Sequence, residues 1–220
     1  MREWKPEWEF PDWSKDVVAI VASGPSAKEV DLEPFKDKFK FLAVNNSWQL
    51  VPWADVLFAA DGGWWQSNKE TLEKFNGMKV TLDALASREM SIHLIKLYKG
   101  QHGISTDKRG QIGMGQNSGF YALNLAVQFG AKKIILVGYD MNIDRGLHWH
   151  GPHKKGLTNP NPFRLKIWAK LLDSQASILK KLGVEVVNAS QVSVLTAYKK
   201  VSLTEALELW ANKEGHQNVD

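Results

Sequence analysis

The chain of 220 residues contains no cysteine, which excludes disulfides, thiol nucleophiles and cysteine-bound zinc or iron–sulfur clusters. No apolar run approaches the ~20 residues of a helical membrane span, and the opening MREWKPEWEFPDW lacks the hydrophobic core of a signal peptide. The expectation is a soluble, cytoplasmic protein. Charge of one sign is also scarce: 28 Lys and Arg stand against 24 Asp and Glu, a net charge of +4, with the lysines scattered. That balance admits an anionic small molecule or a nucleic acid without demanding either. Internal repeats and low-complexity segments are absent, and a hydrophobic content of 44% is enough for the core of one domain.

Tryptophan, by contrast, is abundant, with ten copies. Trp4, Trp8 and Trp13 precede the first strand-like run, so residues 1–15 read as an aromatic arm. Such an arm packs over its own domain or against a second copy of the chain, and stacking on a base or sugar is the functional alternative. Residues 16–212 read as one α/β domain and residues 213–220 as a polar tail.

Within that domain, short apolar runs alternate with helical patterns. Strands are expected at Val17–Ala22, Phe39–Val44, Asp55–Ala60, Met78–Leu82, Lys133–Val137 and Val184–Asn188. Helices are expected at Ser118–Phe129, Pro162–Leu182 and Leu203–Asn212. The alternation predicts a Rossmann-like, doubly wound, mostly parallel sheet with helices on both faces. Tyr98–Gln116, rich in glycine and weakly periodic, reads as a mobile loop, and residues 144–160 as a second, histidine-rich loop.

The first strand runs directly into a Gly-Pro turn. Gly24 permits close approach of a ligand or backbone, Pro25 stiffens the turn, and Ser26 with Glu29 fits a capping box for a helix starting near Ala27. Amides at such a helix start favour an anion, although a cap alone explains the same residues. The further glycines of a dinucleotide fingerprint and the Gly-Lys-Ser/Thr ending of a P-loop are missing. Asn117, Ser118 and Gly119 open the next helix and offer a second anion or nucleotide contact, or again only a cap.

LHWHGPHKKG, residues 147–156, places His148, His150 and His153 beside Lys154 and Lys155, just after the strand end Gly138-Tyr139-Asp140. A neutral histidine here can take a proton from an attacking hydroxyl, and the lysines can balance phosphate charge. A zinc, iron or manganese site completed by Asp140 or Asp144, and a purely structural cluster, are the alternatives.

The ordered set of AIVASGPSAKEVD (residues 19–31), Val44-Asn45, Asn117-Ser118-Gly119 and GAKKIILVGYD (residues 130–140) resembles the bacterial sialyltransferases that use CMP-sialic acid. It is equally similar to a wider group on the same fold, which includes archaeal 6-hydroxymethyl-dihydropterin pyrophosphokinases and small phage proteins. The resemblance implies that Ser23, Gly24, Pro25 and Ser26 lie at the donor phosphate and that Asn45 and Asp61 face the nucleotide or transferred group. It places Asn117, Ser118 and Gly119 at the nucleoside, Tyr139 and Asp140 at the neighbouring strand end, and the general base among His148, His150 and His153. Ser23 and Asp61 stand where the sialyltransferases carry Asn, and their paired tyrosines have no clear counterpart. Asp61-Gly62-Gly63 fits the pyrophosphokinases, where an acidic residue holds Mg²⁺ at the ATP phosphates.

Three functions are therefore open. The leading one is a glycosyltransferase that takes a nucleotide-activated sugar as substrate, without a cofactor, and passes it to an unidentified acceptor hydroxyl. The second is a pyrophosphokinase with Mg²⁺ on Asp61 and Asp140. The third is non-catalytic binding of a nucleotide or nucleic acid.

Overall fold

The computed structural model describes residues 4–154 and 156–217, without the side chains of 212–217. Lys155 and the end of the polar tail, 218–220, lie outside the described residues, as do residues 1–3 of the arm. Eight strands form one sheet: β1 (Val17–Val21), β2 (Lys40–Val44), β3 (Val56–Ala59), β4 (Met78–Thr81), β5 (His93–Leu94), β8 (Lys133–Val137), β9 (Glu185–Asn188) and β10 (Lys199–Lys200). Their spatial order is β10-β9-β8-β1-β2-β3-β4-β5, and every pairing is parallel. β1 therefore sits centrally, and the strand order reverses between β1 and β8, the point where open α/β sheets leave a crevice beyond their carboxyl ends.

Alternation along the strands divides the core into two layers. Val18 and Ile20 of β1 face a cluster with Phe120 and Leu123 of α3 (Ser118–Gln128), Leu172 of α4 (Pro162–Ser174) and Leu179 of α5 (Ala176–Lys181). Ala19 and Val21 face Trp64 and Trp65 of α1 (Gly62–Asn68), Ala86 of α2 (Ala84–Met90) and Trp210 of α6 (Leu203–Gln217). Burial on both faces explains why the central strands are uninterrupted apolar runs. At the edge, β10 is two exposed lysines, a short charged strand unsuited to pairing with another chain.

Four expectations are corrected. The capping box does not form: a five-residue 3₁₀ turn, Pro25–Glu29, begins after Gly24 with no side-chain cap. The expected helix over 162–182 is two helices meeting at Gln175, whose buried side chain accepts from Ile104 N–H at 2.9 Å while its own N–H donates to Leu172 O at 3.0 Å. Val184–Asn188 is not the last strand, because β10 follows it. The segment 98–116 is not a loop: β6 (Lys96–His102) and β7 (Gln111–Met114) pair in parallel as a separate two-stranded sheet.

Two carboxamides on α3 hold that small sheet. Asn124, fully buried, accepts from Ser105 N–H (3.0 Å) and Gly113 N–H (2.8 Å) and donates to Ser105 O (2.7 Å). One turn on, Gln128 accepts from Gly110 N–H (2.8 Å) and donates to the carbonyls of Ser105, Lys108 and Gln111 within 3.2 Å. Polar side chains in a buried helix face thus satisfy backbone groups that a short, irregular sheet leaves open.

The arm packs on its own chain. Trp13 is buried with its ring edge-on to Phe129 at 4.9 Å, Trp8 stacks on His93 at 4.6 Å and donates to Leu94 O at 3.1 Å, and Lys96 lies over Trp4. Among the described residues no helix is long and apolar enough to cross a membrane.

Replacing Asn124 with Leu, similar in shape but without polar atoms, leaves Ser105 and Gly113 N–H buried and unpaired. The expected loss of unfolding free energy is about 2–6 kcal/mol, measured by urea titration; a loss near zero would mean that the carboxamide does not hold the small sheet.

Candidate functional site

Where β1 and β8 end, their chains touch. Ala22 N–H donates to Val137 O at 2.8 Å and Gly24 N–H to Gly138 O at 2.9 Å. A Cβ on Gly24 would fall 2.4 Å from Gly138 O and 2.7 Å from the Asp140 carboxylate, so glycine is required for the close approach. Asp140, almost wholly buried, accepts from Ser26 N–H at 2.9 Å through one oxygen and from the Ser26 hydroxyl through the other. Burial raises its pKa above the usual carboxylate range, and the two Ser26 bonds oppose that rise. Ser26 therefore spends both donors on Asp140.

Beyond these ends lies a cavity of about 490 Å³, in the size range of small-molecule sites. Ser23, Gly24, Asn45, Asp61, Asn117, Ser118, Gly119, Asp140, His148 and His153 all line it, brought together from separate stretches of chain. Asn45 turns in the left-handed region (φ 51°) at the start of a 3₁₀ turn, and its buried Oδ1 has no partner among the described residues. Asp61 precedes α1 without capping it, and its carboxylate is exposed with no hydrogen bond among the described residues. Asn117 caps α3 by accepting from Phe120 N–H at 2.9 Å. The Ser118 hydroxyl has no partner among the described residues.

Four expected residues do not reach the cavity. Pro25 and Ser26 turn inward and are buried beneath the β1 end. Tyr139 is fully buried and donates to Gly119 O at 2.8 Å, and its ring is 3.1 Å from where a Gly119 Cβ would stand, so it braces the α3 start from below. His150 lies behind His148, with ring centroids 5.1 Å apart.

The histidine segment is pinned over the strand ends. Trp149 N–H donates to Ser23 O at 3.0 Å and its indole to Ser47 Oγ at 3.2 Å; Ser47 in turn donates to Ala22 O at 2.9 Å. On the far side, Lys154 donates to Ser67 O at 2.8 Å and His153 N–H to Asn159 Oδ1 at 2.9 Å. The three imidazoles stand within 5.3 Å of one another by ring centroids, and the Nε2 atoms of His148 and His150 are buried without partners among the described residues. Burial first, then mutual repulsion, lowers His148 to about 3 and His150 to about 4. His153 is lowered by burial but is partly restored by the negative charge of Asp61. Among the described residues no group of three His, Asp or Glu side chains is arranged to hold a metal ion. Asp144 is exposed and Asp140 is committed to Ser26, so neither joins the histidines.

Sequence reasoning missed Asn142, Asn159, Arg164 and Trp168, which also line the cavity. Asn161 and Pro162 mark the start of α4 legibly, and Arg164 lies in its first turn. Only the path of the preceding segment brings that turn to the β1 end.

Replacing His148 with Gln tests the burial of this cluster. A histidine whose folded pKa is below its unfolded 6.5 contributes no penalty above pH 6.5 and destabilises progressively as pH falls toward the folded value. Thermal melts of the native chain are expected to drop from pH 6.5 toward pH 3, with a shallower drop for H148Q. Equal slopes would contradict the burial.

No protein-family model and no curated protein matches this sequence. Solved structures do. The sialyltransferase CstII from Campylobacter jejuni in complex with the substrate analogue CMP-3FNeuAc aligns at a TM-score of 0.51 and 16% identity, covering 85% of this chain and 86% of that one. The same enzyme with cytidine-5′-monophosphate aligns at 0.53 and 16% identity, over 86% and 85%. A third structure, of sialyltransferase Cst-II in complex with CMP, gives 0.53 and 14% identity, over 85% and 86%. The chain has a sialyltransferase-like fold.

Proposed function

We propose that this protein is a nucleotide-dependent glycosyltransferase that moves a sugar from a nucleotide-activated donor to an acceptor hydroxyl, with His153 as general base. The observation that carries the reading is the convergence of His153, Asp61 and the α3 start on one cavity at the β1/β8 reversal of a sialyltransferase-like fold. The similar structures hold CMP or a CMP-sugar analogue, which favours a cytidine monophosphate donor.

Among the three histidines, His153 combines access with basicity. His150 does not line the cavity, and His148, held near 3, is a poor proton acceptor. His153 lines the cavity and keeps part of its basicity through Asp61. In the reaction the acceptor oxygen bonds to the sugar's anomeric carbon and its proton passes to a His153 ring nitrogen. The bond from that carbon to the phosphate oxygen breaks, and its electron pair leaves on the nucleoside monophosphate.

The pyrophosphokinase reading is weaker, because Asp140, its second expected Mg²⁺ ligand, already accepts two bonds from Ser26. Non-catalytic nucleic-acid binding gains nothing from the arm, whose tryptophans are taken up by contacts within the chain.

His153→Ala is expected to lower turnover of a CMP-sugar donor by about 10²–10⁴-fold while CMP affinity stays within about twofold, read from released CMP and from calorimetric titration. In the native chain turnover should fall as pH drops below the ordinary histidine range, where the base becomes protonated. Full turnover by the variant would remove His153 from the chemistry.

A further inference from the structure

The cavity has an uneven charge distribution. Its acidic groups, Asp140 and Asp61, stand at the ends of β8 and β3. Its two histidines are held neutral at pH 7 by burial, His148 most strongly. Among the described residues that line the cavity, Arg164 is the one permanent cation. No hydrogen bond or ion pair engages its guanidinium among the described residues.

The backbone beneath Arg164 is nevertheless fixed. Asn161 caps α4 by accepting Arg164 N–H at 2.9 Å, Leu165 N–H donates to Asn161 O at 3.0 Å, and Pro162 sets the first helical residue. Trp168, one turn further along, lines the same wall. An exposed arginine at the rim of a cavity, anchored at its backbone and with no partner for its head among the described residues, is arranged to receive an anion from outside the chain.

The β1 turn, expected from sequence to seat phosphate, has spent the Ser26 amide and hydroxyl on Asp140, and a phosphate set there would lie beside that carboxylate. No tyrosine lines the cavity among the described residues.

We propose that Arg164 is the phosphate clamp of this site: the donor lies with its phosphate against the first turn of α4, away from the β1 turn, and Arg164 stabilises the nucleoside monophosphate as it leaves. The assignment of the leaving group rests on the glycosyltransferase reading, whereas the capture of phosphate does not. As the sugar–oxygen bond breaks, the electron pair gathers on a phosphate oxygen and the guanidinium's fixed fork of N–H donors meets the growing charge.

Calorimetric titration of native protein, R164Q and R164K with CMP, cytidine and inorganic pyrophosphate tests this, with R88Q, an exposed change on α2, as control. Thermal melts establish that each variant is folded. The native chain should bind CMP more tightly than cytidine by about ten- to a hundredfold. R164Q should bind CMP only as well as cytidine, with cytidine affinity unchanged; R164K should be intermediate and R88Q native-like. Pyrophosphate binding lost in R164Q, in a chain that ignores both CMP and cytidine, would sustain the clamp and sink the cytidine donor. CMP binding equal in R164Q and native protein would overturn the clamp and leave the donor reading intact. Failure of the native chain to bind either CMP or pyrophosphate would overturn both.

Discussion

The contact between the ends of β1 and β8 governs the rest of the site. Gly24 and Gly138 bring two backbones to hydrogen-bonding distance, and Ser26 folds under to meet Asp140 through both of its donors. A side chain at Gly24 would strike the β8 end, so Gly24→Val would report on the fold before it reported on any ligand. A polar sequence that looks built for an anion is therefore an internal clasp. Its consequence is electrostatic: a carboxylate stands beside the strand reversal, where the sequence pattern suggests an anion.

The second determinant is the chain leaving β8. Residues 141–154 and 156–161 run over the strand ends before α4 begins, tied down by Trp149 on Ser23 and Ser47 and by Lys154 on α1. That path places His148 and His153 over the cavity and delivers the first turn of α4 to its rim. On the other face of α3, Asn124 and Gln128 hold the small β6–β7 sheet, so the helix whose start lines the cavity is braced along its length. Strand ends, histidine segment and helix start are thus positioned by different interactions that meet at one place.

Much of the frame could be read from the residues. β1, β2, β3 and β8 are short, mainly apolar runs because they are buried in the sheet, and such punctuated runs carry their signal within a residue or two. The cavity lining was legible wherever a polar residue closely succeeds such a strand, as at Ser23, Asn45, Asp61 and Asp140. The features that escaped depend on contacts distant in sequence. Ser26 reads as a cap, since its true partner lies 114 residues away. Lys199–Lys200, Gln111–Met114 and Lys96–His102 carry little periodicity, because short edge strands and a small sheet pinned by carboxamides do not bury an alternating face. Arg164 looks like any exposed helical arginine until the fold sets it with Asp140 and His153 in one lining.

The glycosyltransferase proposal requires this cavity to hold a cytidine nucleotide without a metal. The most direct measurement is the thermal melting temperature of the native chain with CMP and with ATP, each with and without Mg²⁺. A ligand that binds only the folded state stabilises by mass action, by about 2.7 kcal/mol at a hundredfold excess over Kd. An upward shift with CMP, unchanged by Mg²⁺, is expected. A shift with ATP that appears only when Mg²⁺ is present, with none for CMP, would contradict the proposal and point to pyrophosphoryl transfer.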